Sequence, residues 1–347
     1  MKYTTLPNTN IKVSKICLGT MTFGEQNTEG DAHEQLNYAV EQGVNFIDTA
    51  ELYAVPGKPE TQGSTERYIG TWLKNQKREN IILGTKVAGP NPGLTYIREN
   101  LGFSKEVIHE ALNKSLQRLQ TDYVDLYQLH WPERKANFFG KRNFTTDKDD
   151  LWNDNFLEVL QTLNDLIKEG KIRQIGISNE TSWGAMHYTH LAKTHNLQNH
   201  ITIQNSYSLL NRTFEINLAE VSYRENMGLL AYSPLAFGAL SGKYLKVYPK
   251  DGRMELYPQL KKMRKYLSEE AVFVTKKYQE LAQKHNLSLA QMSLAFVNQQ
   301  PFVTSNIIGA TTMDQLKENI ASIDVNLSQE ILEEIDAINE LQPNPAP

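Results

Sequence analysis

Short apolar runs alternate with longer amphipathic stretches along almost the whole chain. Two extended pieces, Tyr3 to Leu6 and Ile11 to Val13, flank Pro7-Asn8-Thr9-Asn10 and predict a hairpin, because proline and asparagine preset turn geometry. Ile16-Cys17-Leu18 follows as a first strand. A helix is expected over 31–42, with Asp31 and Glu34 in capping-box positions, Leu36, Ala39 and Val40 on one face, and Gly43 as terminator. The same grammar then repeats: strands at 45–47 and near 81, 124, 172, 201 and 228, with helices over 65–74, 104–119, 156–169, 182–195 and 214–225. In the helix over 156–169, Phe156, Leu160, Leu163 and Ile167 recur at i, i+4, i+7 and i+11, and Gly170 ends it. A last strand over 305–308 precedes a helix opened by the box Thr312 to Gln315.

Loop lengths sharpen this into a fold. Links from helix to next strand are brief, as at 43–44, 120–122, 170 and 226–227, whereas links from strand to next helix run over 87–103, 131–153 and 232–268. Eight strand-helix units, the seventh with a long insertion, predict an α/β protein: a (β/α)8 TIM barrel with an N-terminal β-hairpin and long loops on its C-terminal face. The whole chain, 1–347, is expected to be one such domain.

Strand ends on that face are where such a barrel puts its chemistry. Phe46-Ile47 leads into Asp48, with Tyr53 in the loop beyond; Lys86 follows Ile81 to Thr85, and His130 follows Val124 to Leu129. Each has a bland reading, since a strand-end aspartate commonly caps or pairs and a histidine beside Trp131 and Pro132 commonly donates a structural bond. The case rests on the four together. A carboxylate, a phenol, an amine and an imidazole at neighbouring strand ends are expected to form one proton-transfer site.

Composition narrows the alternatives. A net charge of -4 gives no electrostatic pull toward nucleic acid or anionic lipid, and the basic run 261–265 is closely followed by Glu269 and Glu270, as on a solvated helix or lid. The single cysteine, Cys17, excludes an internal disulfide and falls in an apolar stretch that predicts core. No signal-like or membrane-spanning stretch stands out, because Gly228 to Leu240 is broken by Ser233 and Pro234, so a cytoplasmic location is expected. No two glycines are separated by a single residue, which removes the G-x-G-x-x-G fingerprint. His187, His190, His195 and His200 lack zinc-helix spacing, and no metal is expected.

Leu18-Gly19-Thr20-Met21-Thr22-Phe23-Gly24, the Asp48 to Tyr53 spacing, Lys86, His130, Gly176-Ile177-Ser178-Asn179, Gln204 and Tyr232-Ser233-Pro234-Leu235 together resemble the aldo-keto reductase superfamily. The likeness runs from about residue 3 to 340; Leu210-Asn211-Arg212 and Ala310 to Gln315 are similar to the bacterial Tas branch, close to the potassium-channel β-subunits. The resemblance implies NADPH as cofactor and a small-molecule carbonyl as substrate. It implies that Tyr53 gives a proton to the carbonyl oxygen, that Lys86, held by Asp48, lowers the phenol's pKa, and that His130 orients the oxygen or shares the proton. It further assigns Thr20, Met21, Ser178, Asn179, Gln204 and Tyr232 to the nicotinamide end. Ser233, Pro234, Leu235, Gly238, Leu240, Gly242 and Lys243 fall to the pyrophosphate, Arg253 to a 2′-phosphate, and Gly309, Thr311, Gln315, Glu318 and Asn319 to the adenosine end.

Three functions stay open on these residues. The first is an NADPH-dependent reductase of aldehydes or ketones. The second is an NADPH-binding redox-sensing or regulatory subunit with little turnover. The third is a barrel aldolase with Lys86 as Schiff-base nucleophile. The aromatic loop with Trp131, Phe138, Phe139 and Phe144 either forms a substrate wall or packs onto the rim.

Overall fold

A computed structural model describes every residue except 147, 149 and 247, and for 262–264 the backbone only. Ten strands are described: β1 Tyr3–Thr5, β2 Lys12–Ser14, β3 Ile16–Gly19, β4 Phe46–Asp48, β5 Ile82–Val87, β6 Val124–Leu129, β7 Ile172–Ser178, β8 Thr202–Ser206, β9 Gly228–Tyr232 and β10 Val303–Ile308. The helices are α1 Glu29–Glu41, α2 Ser64–Leu73, α3 Lys105–Leu119, α4 Phe156–Lys168, α5 Ser182–His195, α6 Leu218–Glu225, α7 Arg253–Leu256, α8 Pro258–Arg264, α9 Glu269–Lys284, α10 Leu289–Gln299, α11 Met313–Ala321 and α12 Gln329–Leu341. Strands β3 to β10 pair in parallel, each with its successor, and β10 closes on β3. The β1–β2 hairpin is antiparallel and sends Leu6 and Val13 into the barrel floor, against Cys17, Phe46, Ile82, Leu126, Leu230 and Ile307.

Side chains alternate across each strand, so the residue two beyond a floor residue again faces the axis. Above Phe46 stands Asp48, above Ile82 stands Gly84 and then Lys86, and above Leu126 stands Gln128 and then His130. The barrel therefore changes from an apolar floor to a polar upper layer within one strand step. Glycine makes room for it: a Cβ on Gly176 would sit 3.2 Å from Gln128 Cγ and closer still to the Thr202 hydroxyl. The outward residues Ile47, Leu83, Tyr127, Leu129, Ile175 and Ile203 join the larger core under the helices.

Several local expectations shift. The first helix starts at Glu29 with Thr28 as N-cap, and the reciprocal box is Thr28 with Asp31, not Asp31 with Glu34. An Asp at the third helical position closes the box as a Glu does. The helix expected over 214–225 is a 3-10 turn at Thr213–Glu215 and then α6, because Asn217 leaves helical geometry at φ -137°. Thr312 caps α11 through the Gln315 N–H, but the Gln315 side chain accepts from Thr311 instead of returning to Thr312. The insertion after β9 holds α7 and α8, so the basic run lies on a short helix whose side chains at 262–264 are outside the described residues. Among the described residues no helix is long and apolar enough to cross a membrane.

Candidate active site

The four strand-end residues meet in the C-terminal mouth. Lys86, fully buried, donates from Nζ to Asp48 Oδ2 at 2.6 Å and to the Thr49 carbonyl at 2.7 Å. Its ammonium lies 5.0 Å from the centre of the Tyr53 ring. The Tyr53 and His130 rings are edge to face, 5.7 Å apart. Asp48 is steadied from below: its Oδ1 accepts from Gln204 Nε2 at 2.8 Å and from Gln128 Nε2 at 3.3 Å, and its carbonyl accepts from the Thr20 hydroxyl at 2.9 Å.

The titration states follow from burial and charge. Burial alone would lower the Lys86 ammonium, but Asp48 and Tyr53 outweigh it and hold it above its usual range. Burial pushes the Tyr53 phenol up, and the Lys86 ammonium pulls it back only in part. Lys86 thus acts in the expected direction, but the net shift is upward, because desolvating a phenolate costs more than one cation returns. Burial, and then Lys86, hold the His130 imidazole well below its ordinary range, so it is neutral at neutral pH. A neutral ring favours orienting an oxygen over sharing a proton.

The residues expected at a nicotinamide form a connected cluster beside this group. Asn179, in left-handed backbone at φ 56°, donates to the His130 carbonyl at 2.9 Å and to Ser178 Oγ at 3.0 Å. Asn179 Oδ1 accepts from the Tyr232 hydroxyl at 2.6 Å, and Ser178 Oγ donates to the Gln204 carbonyl at 2.8 Å. Gln204 turns its amide nitrogen to Asp48 and Gln128, so its oxygen is the atom left for a carboxamide. Met21 lies beside this mouth, its carbonyl accepting from Val55 N–H at 3.0 Å.

After β9 the backbone enters left-handed geometry repeatedly, at Ser233 (φ 55°), Ala236 (48°), Phe237 (54°), Gly238 (92°) and Gly242 (79°). Such a run is sterically unfavourable for most residues and persists only where the surrounding structure holds it. The Gly238 and Leu240 N–H groups, expected to face a pyrophosphate, instead donate to the Leu235 carbonyl at 2.8 and 3.2 Å. Pro234 lies inside this turn, which Ala236 N–H closes onto the Ser233 carbonyl at 2.8 Å. Lys243 reaches back over the turn: a Cβ on Gly238 would lie 2.8 Å from Lys243 Cε. Desolvation and the neighbouring Arg253 charge both lower the Lys243 ammonium. Arg253 rests 5.3 Å above the Phe237 ring, with Nε 3.4 Å from Gln26 Oε1, and desolvation lowers it as well.

At the β10–α11 end, Thr311 donates its N–H and hydroxyl to Gln315 Oε1, and Asn319 Nδ2 donates to the Gly309 carbonyl at 3.1 Å. A Cβ on Gly309 would meet nothing within 4 Å, so this edge is open. Glu318 departs from the set: its Oε1 accepts from Ser288, the N-cap of α10, at 2.7 Å. Elsewhere Trp131 is buried beside His130 at 4.9 Å, Phe138 and Phe139 are half-buried on it, and Phe144 stays exposed. His187 bonds Asp154, and His200 is buried against Tyr188, so the histidine run is dispersed. Among the described residues no group of three or more possible metal ligands converges. Two residues of the mouth escaped the sequence reading, Gln128 and Glu51. For Gln128 the signal was available, as the one amide inside the apolar run of 124–129.

Comparison with known proteins agrees with this geometry. Residues 15–340 match the Aldo/keto reductase family. The chain is 49% identical to Protein tas of Escherichia coli (strain K12), with 100% of each chain covered. It is 33% identical to an uncharacterized oxidoreductase, YrpG, of Bacillus subtilis (strain 168), over 99% of this chain and 97% of that one. Norsolorinic acid reductase A of Aspergillus parasiticus is 29% identical over 95% of this chain and 79% of its own. A closed eight-stranded barrel with Asp48, Tyr53, Lys86 and His130 gathered at one mouth, matched over nearly its full length, belongs to the aldo/keto reductase family of oxidoreductases.

Proposed function

We propose that this protein is an NADPH-dependent oxidoreductase that reduces aldehydes or ketones to alcohols. The observation that carries the reading is the buried Asp48–Lys86 pair set against the Tyr53 ring, with neutral His130 beside it. When bound, NADPH supplies the hydride that adds to the carbonyl carbon.

The chain's own residues handle the proton. With its pKa raised, Tyr53 keeps its hydroxyl proton at neutral pH and is ready to give it to the carbonyl oxygen. As that proton leaves, negative charge grows on a phenol whose ring centre is 5.0 Å from a buried ammonium. At an effective dielectric near 20 that attraction is worth about 3 kcal/mol, and it grows only as the proton departs. Asp48 fixes the ammonium, and Gln204 and Gln128 fix Asp48. His130 orients the oxygen without competing for its proton.

The mouth also fits the cofactor. The Arg253 charge reaches the Lys243 ammonium, and among the described residues neither is in an ion pair. Lys243 over the left-handed turn would suit the pyrophosphate, and Arg253 the 2′-phosphate, which favours NADPH over NADH. Ser178, Asn179 and Gln204 would hold the carboxamide and Tyr232 would stack on the ring; Thr311, Gln315 and Asn319 would meet the adenosine. Purified protein mixed with NADPH and a panel of aldehydes and ketones is expected to oxidise NADPH in a carbonyl-dependent way. Tight NADPH binding with no turnover on any carbonyl would favour the regulatory subunit instead.

A further inference from the structure

Glu51 lies in the turn between Asp48 and Tyr53, yet its side chain is spent on the neighbouring strand. Its N–H donates to the Lys86 carbonyl at 3.3 Å, and its Oε1 accepts from the Ala88 N–H at 2.7 Å. The same oxygen accepts from Arg98 Nη1 at 2.9 Å, while Oε2 takes Arg98 Nη2, completing a two-pronged pair. Gln62 Nε2 donates to the Glu51 carbonyl at 2.7 Å. The carboxylate thus fastens the Tyr53 turn to β5 just past Lys86.

Both side chains are almost fully buried, 1% exposed for Glu51 and 4% for Arg98. Buried charge is a costly way to join two strands that the barrel's backbone ladder already joins. Arg98 comes from the long β5–α3 loop, whose Leu94 and Ile97 pack with Ala88 and Trp131, and Trp131 touches His130. One ion pair therefore ties together the Tyr53 turn, the end of the Lys86 strand and the loop on the far side of His130.

We propose that Glu51 and Arg98 are positioning residues for the reduction, fixing the separation between the Tyr53 hydroxyl and the Lys86 ammonium while touching neither substrate nor cofactor. This rests on the reading of Tyr53 as proton donor. A displacement of about 1 Å at such a donor costs on the order of 100-fold in rate, because the proton must pass along a short, aligned path.

The test sets Arg98→Met, Arg98→Lys and Glu51→Gln beside Tyr53→Phe, measuring kcat, carbonyl KM and NADPH affinity by nicotinamide fluorescence. Arg98→Met and Glu51→Gln are expected to lower kcat about 100-fold, with KM and NADPH affinity held within about threefold. Arg98→Lys keeps the charge and loses the fork, so it recovers kcat to within about tenfold of the parent. Should Arg98→Met not fold, Arg98→Lys carries the test: a kcat loss at constant KM supports the pair. If kcat, KM and NADPH affinity worsen together, the pair is merely structural and the proposal is overturned. Full kcat in Arg98→Met with a dead Tyr53→Phe overturns the pair alone. Full kcat in Tyr53→Phe overturns the proton-donor reading and the pair with it.

Discussion

At the N-terminal mouth of the barrel, Asp125 is buried between two guanidinium groups. Its oxygens accept from Arg78 and Leu83 N–H, both at 2.9 Å, and from Arg173 at 2.8 Å, while the two arginines bracket the Tyr123 ring at 4.1 and 4.2 Å. At the C-terminal mouth, Asp48 is just as buried, but its cation is a lysine and its other donors are glutamines. Guanidinium groups stay protonated throughout the useful pH range, and here each gives the carboxylate one N–H. Lys86 instead offers a compact charge that a neighbouring phenol can feel. What sets the C-terminal mouth apart is a buried ammonium against the ring of a phenol, with an imidazole beside it.

That comparison can be broken. Asp48→Asn is expected to lower kcat by at least about 100-fold, since Lys86 would then be buried without a counter-ion. Asp125→Asn should leave kcat near the parent value and cost about 2–3 kcal/mol of stability in chemical denaturation, below the figure for a fully enclosed pair because Arg173 is half exposed. Equal kcat losses in the two variants would remove the distinction between the mouths. Removing the cation assigned to the 2′-phosphate, Arg253→Ala, should raise the KM for NADPH about 10- to 100-fold while changing that for NADH by less than about threefold. Parallel losses for both cofactors would contradict a phosphate role.

The histidines act only below neutral pH. His130 is held well below 6.5, and His200, with both ring nitrogens unpartnered, is held at about 3. The unfolded chain therefore binds more protons than the folded one below the ordinary histidine pKa of about 6.5. Their contribution is complete above that pH and is lost as pH falls toward the folded values, at about 1.4 kcal/mol per pH unit for each. Denaturation curves between pH 4 and 8 should show this slope, and a His200→Gln variant should lose about half of it. An unchanged slope would contradict the assignment.

Much of this was legible in the chain. Strand positions, the closed barrel and the meeting of Asp48, Tyr53, Lys86 and His130 at one mouth follow from apolar runs that end in polar residues and from loops long on one side only. The missing parts depend on distance in sequence or on depth. Glu51 and Arg98 are 47 residues apart, and no local pattern announces their pairing. The direction of the Tyr53 shift depends on how completely the phenol is desolvated, which a list of neighbours does not contain. The break at Asn217 interrupts a helical periodicity that the side chains around it still obey.

The central claim is that the Tyr53 hydroxyl supplies the proton. It is tested most directly by single-turnover reduction of a carbonyl with pre-bound NADPH, comparing the parent protein with Tyr53→Phe. The account predicts a rate at least about 100-fold lower in the variant, with NADPH affinity within about threefold of the parent. An unchanged rate at full cofactor occupancy would contradict it.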